Sequence, residues 1–96
     1  MHIEILDEAQ EDILKGVLFY ESLQYGAGDY FLDGISADIE SLHLFAGIHP
    51  IKFGFHALYS KRFPYTIYYK IDKDVIWIYA VLDERQDPDK IRERLT

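Results

Sequence analysis

The chain contains no cysteine. Disulfides and thiolate metal centres are therefore excluded, and nothing points to an oxidising compartment. No apolar run approaches the roughly 18 residues needed to cross a bilayer. The N-terminus reads as a strand running into a charged helix, not as a signal peptide, so the expected location is the cytoplasm. Positive charge is scarce too: ten Lys and Arg stand against seventeen Asp and Glu, a net charge of −7. A nucleic-acid binder sets Lys and Arg against phosphates, so the overall field of this chain repels them, and direct binding of free DNA is not expected. The same charge suits a basic partner. Glycine-rich phosphate loops, nucleophile elbows, zinc-spaced clusters and EF-hand patterns are absent, and neither cofactor nor metal is expected.

What is present is apolar and aromatic. Hydrophobic residues make up 49% of the 96 and aromatics 16%, with eight Tyr and six Phe. That composition belongs to a folded globular chain, and its length to one domain spanning residues 1–96. A chain this short buries about two-thirds of its unfolded surface, so its stability is expected to be modest without a partner.

His2-Ile3-Glu4-Ile5-Leu6 alternates as a strand. Asp7 is placed to cap a helix running to about Tyr25, with Glu8, Glu11 and Asp12 in its first turns as a solvated acidic face. Ala9, Ile13, Gly16/Val17 and Tyr20 form its apolar stripe. After Gly26 and Gly28, a second helix is expected from about Asp29 to Phe45, its apolar face being Phe31, Ile35, Ile39, Leu42 and Phe45. The short link makes the two a helical hairpin. Gly47 and Pro50 close the helical half.

The remainder reads as β structure. Phe53 to Ser60 alternates, Pro64 marks a corner, and Tyr65–Ile71 and Val75–Leu82 are strands joined by a turn at Asp72-Lys73-Asp74. Ile76, Ile78, Ala80 and Leu82 are expected to face the helices, with Val75, Trp77, Tyr79 and Val81 on the other side. Asp87-Pro88 opens a short basic helix. The fold class is therefore α+β, in the order β-α-α-β-β-β-α, with the hairpin packed on one face of a small twisted antiparallel sheet. The opposite face, with Trp77 and several Tyr, is expected to stay partly open as a site or interface.

The candidate chemistry lies around that sheet. Arg62 precedes one long strand and Arg85 follows its antiparallel partner, so both belong to the same end of the sheet. With Lys61 they can bind phosphate or stabilise charge in phosphoryl transfer, or they can simply pair with Asp83, Glu84 or Asp87. His56 is expected within reach of the open face, where it can serve as a proton carrier or as a packed histidine. His2, His43 and His49 are read as structural. Tyr59, Tyr68, Tyr69 and Tyr79 can stack on bases but suit cross-strand packing, Tyr69 above all.

These residues in this order resemble the RelE/ParE superfamily of toxins from bacterial type II toxin–antitoxin systems, also called plasmid-stabilisation proteins. The resemblance spans nearly the whole chain. It runs through Leu6-Asp7-Glu8-Ala9, the helical hairpin and the corner Lys61-Arg62-Phe63-Pro64-Tyr65. It continues through Ile67-Tyr68-Tyr69 and Ile78-Tyr79-Ala80-Val81 to Arg85 with Asp87-Pro88. The Phe-Pro-Tyr corner and the Arg-x-Asp-Pro ending are closer to the ParE-like branch. The resemblance implies a toxin neutralised by a cognate antitoxin and acting on a protein target such as DNA gyrase. The RelE-like alternative is a metal-independent endoribonuclease that cuts mRNA on the ribosome. Arg85, and more loosely Arg62 and Lys61, would be its catalytic residues, with His56 or a tyrosine moving the proton. A further alternative is a divergent, non-toxic binding module.

The chain departs from the superfamily in its acidity. Where basic residues often stand before the corner it has Gly54-Phe55-His56-Ala57, and where histidine often precedes the ending it has Leu82-Asp83. These departures weigh most against an mRNA nuclease. The antitoxin is expected to dock on the exposed sheet face and the groove beside the helical hairpin through an unusually basic arm.

Overall fold

A computed structural model describes residues 1–96. Strand β1 (His2–Ile5) leads into helix α1 (Asp7–Leu23), followed by α2 (Ala27–Glu40) and the single turn α3 (Leu42–Phe45). Then come the short strand β2 (Ile51–Lys52), β3 (Phe55–Tyr59), β4 (Tyr65–Asp72), β5 (Val75–Asp83) and helix α4 (Pro88–Leu95). The architecture is α+β in the expected order. The long second helix breaks at Ser41 into α2 and α3, and β2 is an added edge strand.

The sheet order is β1-β5-β4-β3-β2. Strands β2 to β5 form an antiparallel meander; the β2–β3 and β4–β5 turns are two residues long, and the corner 60–64 joins β3 to β4. Phe53 and Gly54 have φ of 56° and 83°, and Lys73 and Asp74 have 51° and 64°. Consecutive positive φ values match the twist of the flanking strands, which is why such tight turns connect them. The sheet is mixed, not purely antiparallel: β1 pairs parallel to β5, from His2↔Val75 to Ile5↔Ile78. Parallel pairing needs a long crossover, and everything between β1 and β5 supplies it.

Asp7 begins α1 as its first helical residue. The cap position is Leu6, which makes no side-chain cap bond, so Asp7 favours the helix through the dipole instead. The α1–α2 link is held by Glu21. Its carboxylate accepts from the backbone N–H groups of Gly26 at 3.1 Å and Gly28 at 3.0 Å, supplying the acceptor that the start of α2 lacks. Helix α1 presses directly on Phe31 of α2. A Cβ at Gly16 would lie 2.4 Å from the fully buried Phe31 ring.

Two apolar layers result. On the helix face, Ala9, Phe31, Ile35 and Ile39 pack against Leu58, Ile67, Tyr69, Ile76, Ile78 and Val81. On the other face, Ile91 and Leu95 of α4 cover Phe55, Ala57, Tyr68, Ala80 and Leu82. The expected alternation holds for Ile76 and Ile78 but not beyond. The register shifts from Tyr69↔Ile78 to Tyr68↔Ala80, leaving Tyr79 as an extra residue. This bulge reverses the rest of β5. Val81 therefore turns to the helices, and Ala80 and Leu82 turn to α4. The face expected to be open is thus covered along part of its length.

A buried charge links the layers. Asp12 is 6% exposed. Its Oδ2 accepts from Val81 N–H at 3.0 Å, and its two oxygens accept from Arg94 Nη1 and Nη2, each at 2.7 Å. Arg94 also donates from Nε to Glu8 at 3.1 Å. The expectation that Asp12 lies on a solvated face is therefore corrected. It lies on the inner stripe Ala9–Asp12–Gly16, where β1 has ended and the edge N–H of Val81 has no strand partner.

Two outcomes follow in equilibrium urea unfolding. Arg94→Ala strands a buried carboxylate and should lose about 3 kcal/mol; a loss under about 1 kcal/mol would mean that water replaces the guanidinium. Gly16→Ala adds helix propensity of about 1 kcal/mol. Overpacking against Phe31 should nevertheless leave it less stable by about 1–2 kcal/mol. A stabilised variant would show that the ring has room to move.

Candidate functional site: the basic corner

The corner between β3 and β4 is built on aromatic packing. Phe63 makes edge-to-face contacts with Tyr20, Tyr30 and Phe31, with ring centroids 5.1, 5.5 and 5.0 Å apart. Such contacts add to the area they bury. Gly34 permits the approach, since a Cβ there would lie 2.8 Å from the Phe63 ring. Phe63 is thereby anchored on both helices, and the residues before it are held over α2.

Arg62 places its guanidinium over the Tyr30 ring, 5.3 Å from the centroid. Lys61 and Arg62 line a small recess with Gly34, Ala37, Asp38 and Ser41. Asp38 is buried beneath it and accepts from Ser60 Oγ at 2.6 Å.

Arg85 has a different anchor. It chelates Asp83, with Nε to Oδ1 at 3.0 Å and Nη2 to Oδ2 at 2.8 Å, and its backbone N–H donates to Oδ1 at 2.9 Å. The hydrogen-bonded guanidinium holds the Asp83 carboxyl below its ordinary range, and Asp83 in turn raises Arg85. The pairing Tyr65↔Asp83 does put both chain segments at one end of the sheet. The guanidinium groups themselves are tied to separate elements, Arg62 to α2 and Arg85 to its own turn.

His56 stands apart from the corner. It pairs with Tyr69, four residues along β4 from Tyr65, or about 13 Å of strand. It lies on the helix side, not the open face, because Phe55 and Ala57 take the α4 side. Its ring stacks on Tyr69 with centroids 4.9 Å apart, and Nδ1 bonds the His49 carbonyl at 3.0 Å. The Tyr69 hydroxyl accepts from Gly47 N–H at 2.9 Å and bonds His49 Nδ1. Burial, helped by His56, lowers the His49 pKa, and burial raises that of Tyr69. This cluster fastens the α3–β2 loop to the sheet. Sequence reading treats His49 as an isolated structural residue and does not find the cluster.

Of the tyrosines considered as stacking surfaces, Tyr68 and Tyr69 are fully buried, Tyr79 is half-buried and Tyr59 is exposed. The part of the sheet face beyond α4 carries Lys70, its ammonium 4.4 Å from the Phe55 ring centroid and 5.6 Å from that of Tyr79. On the outer side of α1, Leu14 and Leu18 are 56% and 60% exposed, and Tyr25 in the turn after it is 86% exposed. No group of three or more His, Asp or Glu side chains converges as a metal site. No helix is long and apolar enough to cross a membrane.

Sequence reading also misses Asp12 and Asp38. The available signal is position, since each falls on an apolar helical stripe: Ala9–Asp12–Gly16 in α1, and Phe31–Ile35–Asp38–Leu42 through α2 and α3.

No protein-family model matches this chain, and no curated protein matches it. A solved structure does. A chain of the one described as "Chromosomal ParDE TA system from P. aeruginosa" superposes with a TM-score of 0.70, covering 84% of this chain and 92% of that one at 17% identity. The two share a fold. The ParE-like architecture implied by the corner and strand motifs is the one observed.

The Asp83–Arg85 chelate can be checked by carboxyl ¹³C titration. A carboxylate with a depressed folded pKa adds stability above its ordinary value of 3.8, and that stability is lost as pH falls through the lowered value. In Arg85→Ala, Asp83 should titrate nearer the ordinary value. The stability gap between wild type and variant at neutral pH should close as the solution is acidified through that window. An unchanged Asp83 titration would mean that backbone bonds alone hold the carboxylate.

Proposed function

We propose that this chain is the toxin component of a bacterial type II toxin–antitoxin system, held inactive by a cognate antitoxin in the cytoplasm and acting by binding a protein target such as DNA gyrase. The observation that carries this reading is the fold shared with a chain of the ParDE structure over 84% of the present chain. It stands beside the Lys61–Tyr65 corner and the Arg85-Gln86-Asp87-Pro88 ending, which resemble the same superfamily independently of the superposition.

The arrangement of the basic residues favours a binding mechanism over RNA cleavage. Metal-independent cleavage needs a proton carrier and charge-stabilising groups around one phosphate. Here Arg85 is chelated by Asp83, Arg62 lies on Tyr30, and His56 is some four residues of strand away on the helix side. The net charge of −7 opposes close approach to RNA in the same sense.

A protein target and an antitoxin both need surface. Leu14 and Leu18 on α1 with Tyr25 in the turn that follows, and the sheet face beside α4, offer apolar area for an antitoxin helix or strand. The acidity of this chain calls for an antitoxin arm richer in Lys and Arg than in Asp and Glu.

Induction of the gene alone should arrest growth with filamentation, and co-expression of the small DNA-binding protein encoded beside it should restore growth. Purified chain should inhibit supercoiling by gyrase. Gyrase left untouched at high molar excess would end the gyrase reading. Codon-linked mRNA cuts in a translating extract, lost in Arg85→Ala, would replace it with the nuclease. Normal growth on induction alone would leave a non-toxic binding module.

A further inference from the structure

Beside the Asp12–Arg94 pair lies a cavity of about 390 Å³, in the size range of small-molecule sites. It opens at the end of β5, past the point where β1 stops, with α1 on one side and α4 on the other. Gly16, Phe19 and Tyr65 give it an apolar wall, and Lys15, Lys90 and Gln86 stand around it.

The charges on this cavity are not balanced among themselves. Its carboxylates are already engaged: Asp12 by Arg94 and Val81 N–H, Asp83 by Arg85. Its two lysines are not. Neither Lys15 nor Lys90 forms an ion pair with any carboxylate, in a chain that carries seventeen of them.

A second, independent feature is Tyr65. Its side chain is among the buried ones, with 7% of the residue exposed, yet its hydroxyl has no hydrogen-bond partner in the protein. No fully enclosed polar side-chain atom in this structure lacks a partner, so the hydroxyl is open to solvent, and Tyr65 lines the cavity. Burial raises the Tyr65 pKa, and the hydroxyl keeps its proton at neutral pH as a donor. With no acceptor in the protein, it is free to donate to a ligand there.

We propose that the cavity is a binding site for a small amphiphilic anion, an aromatic or short-chain carboxylate. Lys15, Lys90 and the Tyr65 hydroxyl receive its carboxylate, and its apolar body lies against Phe19 and the bare backbone of Gly16. This site does not depend on the toxin reading. It lies between α1 and α4, away from Lys61 and Arg62 over α2.

The test is a ¹H–¹⁵N titration of the full chain with benzoate, benzyl alcohol and inorganic phosphate as probes. Benzoate should give saturable shifts centred on the amides of Gly16, Val81 and Leu82. The surface double variant Lys15→Gln/Lys90→Gln should bind it roughly tenfold more weakly, the effect of losing two charge-assisted contacts. Tyr65→Phe, which keeps the ring, should weaken it about fivefold. Benzyl alcohol, with the ring but no charge, and phosphate, with charge but no ring, should both bind less well than benzoate. The proposal is overturned by shifts that do not saturate, by shifts centred elsewhere, or by equal affinity in the lysine double variant. It is equally overturned by benzyl alcohol or phosphate binding as tightly as benzoate. Should Tyr65→Phe lose its dispersed spectrum, the lysine variant decides alone.

Discussion

Helix α1 cannot sit on the sheet without settling the edge of β5. Strand β1 covers that edge only as far as Ile78, so Val81 presents a backbone donor to the interior. Asp12 takes that donor, and a buried carboxylate then needs a cation. Arg94 supplies it with two short hydrogen bonds, which fixes where α4 lies. With α4 in place, Ile91 and Leu95 cover the second face of the sheet. The position of the last helix thus follows from one unpaired N–H on the fifth strand.

The bulge at Tyr79 serves the same arrangement. Before it, β5 sends Ile76 and Ile78 to the helical hairpin; after it, β5 sends Val81 there and Ala80 and Leu82 to α4. Around this frame the basic residues are dispersed, not gathered. Arg62 is tied to an aromatic ring, Arg85 to a carboxylate, and Lys70 lies over the rings of the opposite face. Each local choice is a stable resting place for a cation on an acidic surface.

Much of this was legible in the residues, for physical reasons that also mark where legibility ends. The helical hairpin, the meander and the Phe63–Pro64 corner rest on short-range periodicity and turn chemistry, which the chain displays directly. The parallel pairing of β1 with β5 is non-local and leaves no periodic trace. The bulge arises from pairing between β4 and β5, and alternation within β5 alone does not show it. Asp12 and Asp38 were hidden by the general habit of acids to be solvated, although each interrupts an apolar stripe at helical spacing. At the site, the shared end of the sheet for Arg62 and Arg85 was readable from hairpin geometry. Their separate anchors were not, because side-chain direction depends on Tyr30 and Asp83, which only the tertiary structure brings near. The side of the sheet that His56 takes is not readable either, because the phase of β3 is set by packing, not by its own pattern.

The parallel β1–β5 pair has a consequence for how the chain comes to be folded at all. His2 pairs with Val75, and Asp12 bonds to residues 69 and 82 positions away in sequence. The helical hairpin leaves the ribosome before β5 and α4, carrying an uncovered apolar stripe and a carboxylate whose two partners are not yet made. Contacts of such long sequence separation form slowly and last. The nascent chain therefore stays open until β5 and α4 emerge, with its apolar surface available to any helper that meets it during synthesis.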